Sequence, residues 1–238
     1  MRLVAVDMDG TFLDPAGRYD RARFERLYAR LQAHDIAFVV ASGNQHAQLR
    51  SKFDGLSGVR YIAENGGVIA EDDRVIRVSP IEPAVAAAAL TLISSWPDVI
   101  CLASCPAAAY VRPDADPRLL DDIRPYVTQL GWVDDWADVP EPVVKIALGC
   151  APASTTQLLD QLRRTMPSGV VATSSGRGSI DLIADDVNKG TAPAVARQPP
   201  GLAGRRCCGF RRRGQRRRVA GCGGPRRGHG RRTRLAEG

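Results

Sequence analysis

The chain has 238 residues, 44% of them hydrophobic, and a net charge of +7, which is enough length for one large or two modest domains with a sizeable core. No stretch approaches the roughly 20 apolar residues of a membrane span, and the opening MRLVAVDMDG lacks the zones of a secretory signal, so a cytoplasmic protein with no membrane partner is expected. The six cysteines show no paired metal-ligand spacing and are too few for a disulfide scaffold of this size, so they read as reduced thiols.

Residues 2–6 form a short, branched apolar run ending at Asp7, with a turn-forming Asp9-Gly10 behind it; this predicts a buried parallel strand. A helix is expected over 18–34, where Phe24, Leu27, Tyr28 and Leu31 recur at three- and four-residue spacing, and a second buried strand over 36–41, ending at Ser42-Gly43-Asn44. Strand, helix, strand implies a right-handed parallel crossover. A helix near 45–53 and strands at 60–63 and 68–70 extend an α/β, Rossmann-like sheet.

Ser79-Pro80-Ile81-Glu82-Pro83 punctuates the chain. An Ala-rich helix, strands near 99–102 and 143–148, and helices near 117–130 and 155–166 then predict a second, α+β unit. The organisation expected is a first core part over 1–81, an inserted α+β cap over 82–179, a return to the core over 180–192, and an Arg/Gly-rich tail over 193–238 without folding periodicity, hence disordered.

The chemistry gathers at the first strand. Two carboxylates one residue apart, directly after a buried strand, stand at the carboxyl edge of the sheet, where open α/β folds bind ligands. Asp7 suits a nucleophile toward phosphorus, and Asp9 suits an acid that protonates the leaving oxygen and later deprotonates water. Backbone N–H groups of Met8 and Gly10 would cradle the phosphate. Two acids repel an anionic phosphate, so a hard divalent cation, Mg²⁺, is expected beside them.

Asp7-Met8-Asp9-Gly10-Thr11-Phe12-Leu13-Asp14 resembles the first motif of the haloacid dehalogenase (HAD) superfamily of phosphatases. Val39-Val40-Ala41-Ser42-Gly43-Asn44 resembles their second motif, and Asn188-Lys189-Gly190 their third. The Ser-Gly-Asn form, the Glu64-Asn65-Gly66-Gly67 turn and the segment from Ile180-Asp181 to Lys189 resemble the Cof-type branch, many of whose members act on sugar phosphates. The resemblance implies a HAD core with an inserted cap and a Mg²⁺-dependent hydrolase acting on a small phosphorylated metabolite. It implies catalysis by Asp7, Asp9 and Lys189, phosphate contacts from Met8, Gly10, Ser42, Gly43 and Lys189, substrate contacts from Asn44 and Asn188, and metal ligation by Asp7 and Asp9. In this branch the cap supplies most substrate contacts, which makes Arg112, Lys145 or Arg177 a candidate contact, but no motif singles one out and the alternative reading of each is a surface charge.

The family's fourth motif, Gly-Asp-x-x-Asn-Asp, is missing, and the only acid beyond Asp186 is Glu237. From Arg197 onward the chain carries 14 arginines and a net +13, which leaves residues 1–196 at −6 within the total of +7. Such a run is what a GC-rich gene yields in the wrong reading frame. Taking the last two bases of each codon with the first of the next, residues 207–218 can read Val-Val-Ala-Phe-Gly-Asp-Gly-Gly-Asn-Asp-Val-Glu, which contains the absent motif. Gln215 before an arginine is restrictive in this exercise, giving only Asn or Ser. A frameshift between about 192 and 197 is therefore expected, with activity of the chain as written in doubt and an unpaired apolar sheet edge. The alternative is a basic arm that binds nucleic acid on a phosphatase-like domain.

Overall fold

The computed structural model describes residues 2–176 and 178–187, and the backbone of 207–210. Two six-stranded sheets organise it. In the first, β1 (Arg2–Asp7) and β2 (Ile36–Ala41) pair in parallel with Asp7 opposite Ala41, so both strands stop at the same edge. The crossover between them is α1 (Arg21–Ala33), whose first turn is closed by the Asp20 side chain accepting from Arg23 N–H. The short helix α2 (His46–Lys52) leads to β3 (Arg60–Ala63), parallel to β2, and then β4 (Val68–Glu71) and β5 (Arg74–Val78) turn back antiparallel. Phe12, Phe24, Phe38 and Phe53 pack ring on ring beneath this sheet, with centroids 4.9 to 6.0 Å apart. Phe12 belongs to the turn that follows β1, so the aromatic cluster anchors the segment holding Asp9.

The second unit begins at α3 (Pro83–Ser94), capped by Glu82 and carrying Pro83 in its first turn. Its buried Ala86, Ala89, Leu90 and Ile93 face a largely antiparallel sheet. That sheet comprises β6 (Val99–Ser104), β7 (Ala109–Val111), β8 (Leu130–Trp132), β9 (Lys145–Cys150), β10 (Val170–Gly176) and β11 (Ser179–Ala184), in the order β10-β11-β9-β6-β7-β8. Helices α4 (Pro117–Ile123) and α5 (Thr155–Thr165) complete it. Two strands of chain join the units side by side: Ile81 N–H donates to the Val143 carbonyl at 2.8 Å, and a Cβ on Gly67 would stand 2.8 Å from Val144 Cβ.

Three expectations are corrected. Residues 180–184 do not return to the core: β11 lies inside the cap sheet, hydrogen-bonded to β9 and β10, with Ile180 and Leu182 fully buried in the cap core. The β10–β11 hairpin, reversed at Gly176 and Gly178 with φ of 85° and 84°, moves the return past Ala184. The helix expected over 117–130 ends at Ile123, because Pro125 follows and the chain tightens into a single 3₁₀ turn before β8. The outer edge of β1 is not bare either. A further strand, β12 (Cys207–Phe210), pairs parallel to it with Leu3 opposite Cys207 and Val6 opposite Phe210. An unpaired row of backbone groups on an apolar strand is costly, and this uncharged tetrapeptide satisfies it. The rest of the 193–238 tail, and with it the nucleic-acid alternative, lies outside the described residues, as do Asn188, Lys189 and Arg177.

Candidate active site at the carboxyl edge of the core sheet

At the end of β1 the chain makes one wide turn, closed by Leu13 N–H donating to the Met8 carbonyl at 3.0 Å. Within it Gly10 adopts φ 66°, a left-handed conformation that a Cβ disfavours. Met8 is buried at 1% exposure while Asp9 is exposed, so the backbone of 8–10 lies over the sheet edge with its apolar side chain pinned beneath. The first motif is thus a rigid loop whose polar groups face outward.

The second motif meets it across the parallel pair. Ser42, next after Ala41, is 2% exposed, and its Oγ accepts the Asn44 N–H at 3.1 Å, a local turn that fixes the hydroxyl at the strand end. Asn44 Nδ2 donates to Asp9 Oδ2 at 3.4 Å, linking the two loops. Asp7, Asp9, Ser42, Gly43 and Asn44 are therefore gathered at one edge, as the spacing of the motifs requires.

A second layer supports this loop. Asn65 N–H donates to the Ser42 carbonyl and Glu64 N–H to the Asn44 carbonyl, each at 3.1 Å. Glu64 and Asn65 both have positive φ, 48° and 57°, and a non-glycine pair in that region is strain held by its surroundings. The hold comes from a buried charge cluster. Lys145 Nζ donates to the Gly43 carbonyl at 2.7 Å and lies 2.5 Å from Glu64 Oε2 and 3.8 Å from Asp181 Oδ1. Asn65 Nδ2 donates to Asp181 Oδ2 at 2.8 Å.

Burial works against a charged Lys145, but the carboxylates of Glu64 and Asp181 outweigh it and hold its pKa above the ordinary lysine range. Burial also pushes the Glu64 carboxyl up, with Lys145 offsetting only part of the rise. The Lys145 ammonium is the charged partner of the buried Glu64 carboxylate at this distance.

Of the cap cations weighed as substrate contacts, Lys145 is thus committed to the junction of cap and core, and Arg112 is paired with Asp114 at 3.1 Å. Sequence reasoning missed Gln45 and the part played by Asp181. Gln45 is 5% exposed; its Oε1 accepts from Thr128 N–H and Gln129 N–H at 2.9 and 3.0 Å, and its Nε2 donates to the Gln129 carbonyl at 2.9 Å. These bonds cross more than 80 residues of sequence, so no local pattern announces them.

For a divalent metal, the donors fall short. Among the described residues no group of three or more His, Cys, Asp or Glu side chains is placed to hold a metal ion, and Asp7 and Asp9 alone do not build the oxygen shell that Mg²⁺ needs. Among the described residues, likewise, no helix is long and apolar enough to cross a membrane.

A family profile described as haloacid dehalogenase-like hydrolase matches residues 4–198. The chain is 31% identical over 190 residues to 5-amino-6-(5-phospho-D-ribitylamino)uracil phosphatase YbjI of Escherichia coli (strain K12), covering 79% of this chain and 70% of that protein. Among solved structures, SMU.1108c from Streptococcus mutans UA159 superposes with a TM-score of 0.73 at 29% identity, covering 81% of this chain and 74% of that one. The HAD subclass IIB sugar phosphatase BT4131 shares the fold, with a TM-score of 0.61 at 16% identity over 82% of this chain and 74% of that one. The first-motif turn, the second-motif loop beside it and the inserted cap sheet thus coincide with a match over most of the chain, which belongs to the haloacid dehalogenase-like hydrolase family.

Proposed function

We propose that this protein is a phosphatase for small phosphate monoesters of sugar or polyol type, acting through an aspartyl-phosphate on Asp7. The observation that carries the reading is the meeting of Asp7 and Asp9 with Ser42-Gly43-Asn44 at one sheet edge, joined by the Asn44–Asp9 bond. The similarity to YbjI, whose name gives a phosphorylated ribityl compound as its substrate, supports the substrate class.

In the first half-reaction an Asp7 carboxylate oxygen attacks phosphorus, the ester P–O bond breaks, and the departing alkoxide takes a proton from the Asp9 carboxyl. In the second, Asp9 as carboxylate takes a proton from water as the water oxygen attacks phosphorus; the acyl-phosphate bond breaks, Asp7 is regenerated and inorganic phosphate leaves. The backbone N–H groups of Met8 and Gly10 and the Ser42 hydroxyl would bear on the phosphoryl oxygens, where charge builds up. Lys189, outside the described residues, would neutralise the same group.

Mg²⁺ is typical of the family, but the acids it needs are incomplete in this chain. We infer that the missing acids belong to the alternative reading frame. The family match stops at residue 198, where the arginine run begins, and β12 occupies the position from which those acids would follow. In that frame Cys207–Phe210 reads as the equally apolar Val-Val-Ala-Phe, and the Gly-Asp-Gly-Gly-Asn-Asp turn comes directly after it.

The test is hydrolysis of a panel of sugar and polyol phosphates with Mg²⁺, comparing the chain as written with a protein restored by one nucleotide near codon 193. The restored protein is expected to be at least ~100-fold more active, with EDTA abolishing the gain. Equal inactivity of both proteins across the panel would contradict the reading.

A further inference from the structure

The cap grips the second-motif loop at both ends. On one side of Asn44, the Gly43 carbonyl accepts from Lys145, the first residue of the cap strand β9. On the other, the Gln45 carboxamide, which carries a donor and an acceptor as a peptide group does, pairs with the cap backbone at Thr128 and Gln129. Between these two grips sits the residue whose side chain reaches Asp9. The loop has little slack, since a Cβ on Gly43 would already stand 2.9 Å from Asn65 Oδ1.

We propose that Gln45 and Lys145 are positioning residues through which the seating of the cap sets the Asn44–Asp9 contact, so that the proposed proton donor is correctly placed only when the cap is docked. The mechanism follows from rigidity: three consecutive residues are bonded, in turn, to the cap, to the first-motif loop and to the cap again. Displacing the segment around 128–129 withdraws partners from a Gln45 side chain that is almost fully buried, and such groups are costly to leave unmet. The loop must then move, and Asn44 with it. Gln45 is the better probe of the two, because Lys145 also balances buried carboxylates and its loss would disturb folding. For catalysis the inference rests on the phosphatase reading; the structural coupling does not.

Hydrogen exchange followed by mass spectrometry on the full-length chain, without substrate, is the direct experiment, with Gln45→Ala and Gln45→Glu compared to the parent. Exchange is expected to be about tenfold faster in the peptide containing 128–129 and also in the peptide spanning 8–13. Faster exchange confined to the 128–129 peptide would overturn the proposal, since a plain tether would loosen only the cap. In the frame-restored protein Gln45→Ala is expected to lower kcat about tenfold with KM held within about twofold, as loss of an interaction made only in the transition state does. A raised KM with kcat intact would place Gln45 in substrate binding and overturn the proposal. If the restored parent hydrolyses nothing, the phosphatase reading fails by itself, while the exchange pattern still decides the coupling.

Discussion

Lys145 Nζ lies 2.5 Å from Glu64 Oε2, joining the cap to the core through an ion pair whose side chains are 8% and 2% exposed. Asp181 adds a second carboxylate at 3.8 Å. A buried pair of this kind is weak evidence of net stabilisation, because desolvation offsets most of the attraction, but removing one partner leaves a charge stranded.

Lys145→Met should therefore destabilise the protein by about 3–5 kcal/mol, while Arg118→Met, at an exposed position on α4, should change stability by less than about 0.5 kcal/mol. Urea unfolding of both variants against the parent checks this. A Lys145→Met protein as stable as the Arg118→Met control would mean that the cluster carries no counter-charge role.

Gly43→Ala tests how tightly the second-motif loop is packed. The added methyl would meet Asn65 Oδ1 at 2.9 Å, and Asn65 cannot swing away freely because Asp181 holds its amide. A loss of about 1–3 kcal/mol is expected, together with changed amide chemical shifts at Glu64 and Asn65. Unchanged stability and shifts would show a looser loop.

The fold of the first 80 residues was legible because its signals are local: a branched apolar run ending in Asp7, amphipathic spacing in α1, and Ser42-Gly43-Asn44 at the end of the second strand. The cap was less so. Residues 170–176 and 179–184 form a hairpin that adds to β9, a pairing that no local pattern encodes, so the sequence by itself assigns 180–184 to a return to the core. Within the first 80 residues the exception was β5, an edge strand of the core sheet whose four exposed residues out of five offer no apolar alternation. Gln45 and Asp181 act through partners more than 80 residues away, beyond the reach of any periodicity. Nor did the sequence announce β12: residues 193–238 were expected to be disordered, yet Cys207–Phe210, which reads Val-Val-Ala-Phe ahead of the absent motif in the other frame, pairs with β1 as written.

His46 should give the protein a specific acid sensitivity. Its ring is half-buried, with Nε2 2.8 Å from the Asp72 carbonyl, and burial holds its pKa below the ordinary histidine value. A depressed pKa means that the unfolded chain binds the proton more readily. The neutral ring thus contributes stability that is fully present above about pH 6.5 and is lost as pH falls below it. Unfolding by urea at pH 7.5 and pH 5.5 should show a smaller drop for His46→Gln than for the parent; equal drops would assign the sensitivity elsewhere.

Asp7 ends β1 directly opposite Ala41, at the edge where the second-motif loop begins, and the central claim is that its carboxylate attacks phosphorus. The most direct measurement is steady-state hydrolysis of a sugar phosphate with Mg²⁺ by the frame-restored protein and its Asp7→Asn variant, with circular dichroism confirming equal folding. The amide is nearly isosteric but a poor nucleophile, so turnover should fall at least ~100-fold with the fold unchanged. An Asp7→Asn protein that hydrolyses the ester at the parent rate would contradict the assignment.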